Sequence, residues 1–76
     1  MRDLVEYIAK SVVDDPQAVE VTTLRGADAT IIRLRVAPDD KGVVIGRHGR
    51  VANAMRTLVR VSAATAGKRR VVLEIV

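Results

Sequence analysis

Residues 30–37 constrain the fold most tightly. Ile32, Leu34 and Val36 point one way, while Ile31, Arg33 and Arg35 point the other. That two-residue alternation is the mark of a half-buried strand. One face must be covered and the other meets water, as in an antiparallel sheet packed on a single side. Within 76 residues the covering layer is either an efficient core or one helped by self-association. With no cysteine and Tyr7 the only aromatic, it must be built from aliphatic faces alone.

The flanking segments supply those faces. Over 3–13, Leu4, Val5, Ile8, Ala9 and Val12 form a helical stripe, with Asp3 and Glu6 in capping-box positions. Asp14-Asp15-Pro16 ends that helix. Residues 19–25 alternate as a strand, with Val19, Val21 and Thr23 on one face, and Gly26-Ala27-Asp28 reads as a turn. Pro38-Asp39-Asp40 starts a short helix that can run only a turn or two before Gly46. A second long helix covers about 50–64, its stripe drawn through Val51, Met55, Leu58 and Ser62. Gly67-Lys68 turns the chain, and 69–76 alternates with Val71, Leu73 and Ile75 inward. The expected fold class is α+β, in the order αββααβ: one domain over 1–76, a three-stranded sheet with helices on one face. Tyr7 is expected to pack at the edge of the first helix.

Charge is segregated. Residues 1–40 hold five Lys/Arg and eight Asp/Glu, a net of −3; residues 41–76 hold eight Lys/Arg and one Glu, a net of +7. No acid occurs between Lys41 and Leu73. A basic half of this kind points to an anionic partner such as RNA, DNA or a membrane surface. The apolar runs reach only three residues, and no apolar stretch follows Met1-Arg2-Asp3. The expectation is a cytoplasmic protein without membrane attachment. With one histidine a zinc site would need several carboxylates, and none cluster with helical or loop ligand spacing, so no metal site is expected and no cofactor is implied.

Gly46-Arg47-His48-Gly49 lies inside the basic half, between a β-branched run and the second long helix. The glycines allow tight turning and close backbone approach. The helix that starts after Gly49 offers free N–H groups and a favourable dipole to a phosphate. Arg47 adds a forked cation. Arg50 either reaches the same phosphate or pairs with Asp39 or Asp40. For His48 no acid or nucleophile completes a catalytic set, so contact with the ligand or plain solvent exposure are the alternatives. The candidate binding residues are Lys41, Val44, Ile45, Gly46, Arg47, His48, Gly49, Arg50 and Asn53. The chain is not expected to be an enzyme.

The run Pro38-Asp39-Asp40-Lys41-Gly42-Val43-Val44-Ile45-Gly46-Arg47-His48-Gly49-Arg50, followed by Ala54-Met55-Arg56-Thr57-Leu58-Val59, resembles the KhpA family of small bacterial proteins with one type II KH domain. The resemblance spans essentially the whole chain. It implies single-stranded RNA as ligand, held by the Gly-x-x-Gly loop, with about four nucleotides lying in an apolar groove. On this reading the groove is floored by Val44, Ile45, Ala52, Leu34 and Val36, beside the second strand; ordinary core packing is the alternative role for all five, and the favoured one for Leu34 and Val36. The resemblance further implies an RNA chaperone or post-transcriptional regulator, a homodimer, and a larger KhpB-like KH protein as partner, in a setting of cell elongation and cell-wall homeostasis. The family usually carries Lys where this chain has Val43. That departure, with the absent aromatics, leaves open an adaptor or dimerisation subunit whose partner supplies most of the RNA contact. Single-stranded DNA is a further alternative, since no motif here selects the 2′-hydroxyl.

Overall fold

The computed structural model describes residues 2–67 and 70–76. The helix α1 (Arg2–Val12) leads through a 3₁₀ turn at Pro16–Ala18 into the strands β1 (Glu20–Arg25) and β2 (Thr30–Arg35). A 3₁₀ turn at Pro38–Asp40 then opens the short helix α2 (Lys41–Ile45). Another such turn, at Arg47–Gly49, leads into α3 (Arg50–Thr65), and β3 (Val71–Ile75) ends the fold. The order αββααβ is as expected. Lys68 of the expected turn and Arg69 of the expected last strand lie outside the described residues.

The sheet runs β1-β2-β3. β1 and β2 form an antiparallel hairpin in which Val21 faces Leu34 and Leu24 faces Ile31. β3 lies parallel to β2, Ile32 beside Leu73. The sheet is therefore mixed, not antiparallel as the alternation suggested. The chain between β2 and β3 crosses over through α2 and α3 and returns in the same direction, as parallel neighbours require.

The inward set of β2 is as expected: Ile32 and Leu34 are fully buried and Val36 nearly so. They meet Val5, Ala9 and Val13 from the first helix and the turn after it, Val44 from α2, Met55 and Val59 from α3, and Leu73 from β3. Burying an aliphatic side chain of this size stabilises by about 1.5–3 kcal/mol. On the opposite sheet face Arg33 pairs with Glu74, its Nη2 3.1 Å from Oε1.

The helices differ from expectation in their rotation. In α1, Val12 is partly exposed while Val13, just past the helix end, is buried; Tyr7 is 72% exposed and does not pack at an edge. In α3 the buried line is Ala52, Met55, Val59 and Ala63, while Leu58 and Val61 stand outside. Small residues at 52 and 63 let the helix backbone approach its neighbours closely, so side-chain size and not hydrophobicity alone chose the buried face. On the surface of α1, Glu6 accepts from Lys10 at 2.8 Å and meets Arg2 at 3.0 Å. Lys10 foremost, then Arg2, holds the Glu6 carboxyl below its ordinary value. Among the described residues no helix is long and apolar enough to cross a membrane.

Asp40 is the one charged side chain buried among the described residues. Its Oδ1 accepts the Asp14 N–H at 3.2 Å and its Oδ2 the Asp15 N–H at 3.1 Å. The sequence offers Asp40 as part of a short helix start and as a partner for Arg50; here its carboxylate is buried and bonded to the Asp14 and Asp15 amides, and it does not pair with Arg50.

Candidate nucleic-acid interface

α2 ends at Gly46, whose N–H bonds the Gly42 carbonyl at 2.9 Å. Gly46 has φ +79 and ψ 169, and a Cβ there would stand 2.6 Å from Val51 Cγ2 and 2.9 Å from Val51 N. The chain then folds back on itself. The Gly49 N–H donates to the Gly46 carbonyl at 3.1 Å, and the Arg50 N–H to the Arg47 carbonyl. Gly49 sits at the N-cap of α3 with φ +74 and ψ 15, where a Cβ would have room, 3.7 Å from Asn53 Nδ2. His48, between them, is the one non-glycine residue among those described with positive φ, at +58. Histidine is among the residues that enter this left-handed region most readily.

The turn therefore delivers the chain to the start of a sixteen-residue helix that no side chain caps. The positive end of its dipole lies where Arg47, His48 and Arg50 are exposed, although the Arg50 N–H is already taken by the Arg47 carbonyl. Lys41 is exposed one helix earlier. Among the described residues none of Lys41, Arg47 and Arg50 is in an ion pair; the paired cations are Arg2, Lys10 and Arg33. An anion placed here meets the positive end of the helix dipole and unpaired cations together.

The remaining candidates divide. Ile45 is 41% exposed, and Asn53 is exposed with its Oδ1 3.3 Å from Arg56 Nη1. Val44 is fully buried, so its side chain anchors α2 and cannot touch a ligand. Ala52, Leu34 and Val36 are likewise core. Of the five residues considered for a groove floor only Ile45 is open, and Leu34 and Val36 take the core role favoured for them. β2 is the central strand; α3 packs against β3, an edge. A shallow cleft of about 200 Å³ lies there, lined by Arg56, Arg60 and Val71 to Leu73. Arg56 and Arg60 were missing from the candidate set. Their spacing from Asn53, three and seven residues along one helix, was the available signal. A larger cavity of about 360 Å³, near Arg2, Arg25 and Ser62, includes none of the candidate residues. No group of three or more His, Cys, Asp or Glu able to hold a metal ion occurs among the described residues.

Known proteins resemble the chain over its whole length. The chain matches the family model described as KhpA/KhpB, KH domain, over residues 2–75. It is 53% identical to the RNA-binding protein KhpA of Caldanaerobacter subterraneus subsp. tengcongensis, over 100% of both chains. It is 47% identical to that of Clostridium perfringens, again over 100% of both. With that of Treponema pallidum it shares 49% identity over 97% of this chain and 91% of the relative. An αββααβ fold with a Gly-x-x-Gly turn at the mouth of α3 and full-length similarity to these relatives establish that the chain belongs to the KhpA/KhpB family of KH domains.

Proposed function

We propose that this chain binds single-stranded RNA through the Gly46–Gly49 turn, acting in the cytoplasm as an RNA chaperone or post-transcriptional regulator. The observation that carries the reading is the uncapped start of α3 set among exposed, unpaired cations. The relatives' designation as RNA-binding proteins supports it. The backbone lies at Gly46, Arg47, His48, Gly49 and Arg50, with Lys41 nearby. The bases run along α3 past Ile45 and Asn53 toward Arg56, Arg60 and the edge of β3. The role is binding without catalysis, a reading supported by the match to the KhpA/KhpB KH-domain family.

Salt dependence tests the proposal. Two to four phosphate contacts at about 0.7 each give a log–log slope of magnitude about 1.5–3 for single strands. A slope near zero in a fluorescence titration would remove the phosphate contact. The same titration with single-stranded DNA of matched sequence distinguishes the two ligands.

A second observation favours assembly. Leu58 is 45% and Val61 59% exposed, and with the exposed Ala54 they form an apolar line on the outer side of α3. This line supports a homodimer, or pairing with a KhpB-like protein, and a second copy would add a second loop. Sedimentation equilibrium is expected to show a concentration-dependent dimer that is lost when Leu58→Glu and Val61→Glu are combined. A monomer throughout the accessible concentration range would discard the homodimer. An isolated chain that assembles but does not bind RNA would favour the adaptor role.

A further inference from the structure

We propose that Asp40 is a positioning residue for the loop: its buried carboxylate fixes α2, and through it the Gly46–Gly49 turn, to the end of α1. The inference rests on the binding role proposed above for that turn.

α2 has five residues and cannot hold its own conformation. Its placement comes from three points. Val44 is fully buried in the middle. Gly46 is pressed against Val51 at the far end. Asp40 immediately precedes the helix, 3% exposed. A buried carboxylate is costly unless its oxygens are satisfied. Here each oxygen accepts one backbone N–H, from Asp14 at 3.2 Å and Asp15 at 3.1 Å. Those two amides follow the last α1-type bond, Val13 N–H to the Ala9 carbonyl. One side chain thus satisfies two donors that the end of α1 leaves free, and it joins segments 26 and 25 residues apart.

The geometry explains why a carboxylate stands here. Asparagine has the same shape but one acceptor oxygen, and its NH2 group would face an N–H donor. Alanine would leave both amides without a partner. Neither change touches the surface that faces the ligand. Their effect on binding has to travel through the position of α2.

The test compares Asp40→Asn and Asp40→Ala with Ile32→Val, a core truncation remote from the junction. Each is assayed well below its unfolding midpoint, with folding checked by circular dichroism. Affinity is read with a fluorescein-labelled pool of random-sequence single-stranded RNA, and amide hydrogen exchange is followed at residues 46–51 and in β2. Asp40→Asn is expected to lose about three- to tenfold in affinity, from one impaired hydrogen bond. Exchange at 46–51 should accelerate well beyond the change in β2. Ile32→Val should keep wild-type affinity while folded, and Asp40→Ala, if it folds, should exceed Asp40→Asn in both effects. Wild-type affinity and loop exchange in folded Asp40→Asn would overturn the proposal. So would an equal loss of affinity in Ile32→Val, which would make the effect one of general stability. If the wild-type chain binds no RNA, the functional reading fails, and the exchange data alone still decide whether Asp40 positions the loop.

Discussion

Gly46→Ala is expected to destabilise the fold far more than Gly49→Ala, although the two glycines read alike in the sequence. At φ +79 and ψ 169, Gly46 occupies a region closed to residues with a side chain, at a cost of about 1–3 kcal/mol. The new Cβ would also lie 2.6 Å from Val51 Cγ2 and 2.9 Å from Val51 N. A rotamer change could relieve the first contact; the second is backbone and forces α3 away from α2. Overpacking of this kind costs about a further 1–3 kcal/mol. For a domain of this size the whole stability is roughly 4–11 kcal/mol. Gly49→Ala meets only the left-handed penalty, about 1–2 kcal/mol, because its Cβ would have room. Urea melts followed by circular dichroism will rank them. Equal stability of the two variants would contradict the geometry described for the turn.

Replacing Arg47 and His48 together with Asp is expected to leave the fold intact and to lower RNA affinity by at least about tenfold. Acids at a helix start suit its dipole, and aspartate enters the left-handed region that position 48 requires. Neither side chain packs in the core; both are exposed. The change therefore isolates charge. It places two negative groups where the phosphate would sit and removes a guanidinium. Unchanged affinity in a titration of the folded variant would assign binding to another surface.

Much of this was legible from local pattern. The alternation at 30–37 specified which face of β2 is buried, because a one-residue error exposes every apolar side chain at once. The Gly-x-x-Gly turn was legible because glycine spacing and a following helix leave few alternatives. Helix rotation was not. In α3 apolar residues surround most of the circumference, and the choice of Ala52 and Ala63 over Leu58 and Val61 depends on how near the neighbouring elements lie. The same excess of apolar residues hid Val44, which periodicity could not separate from its exposed neighbours Val43 and Ile45. The role of Asp40 depends on a partner 26 residues away, and an aspartate after Pro38 is equally well explained as a solvated first turn. That α3 packs against β3 was not legible, because the place and direction of β3 follow from the crossover through α2 and α3.

Amide chemical-shift mapping during titration with single-stranded RNA tests the central claim most directly. The account predicts that shifts concentrate at Lys41, residues 45–50, Asn53, Arg56, Arg60 and residues 71–73. Shifts confined to the opposite sheet face, around Leu24, Ile31 and Arg35, with the Gly46–Gly49 turn unmoved, would contradict it.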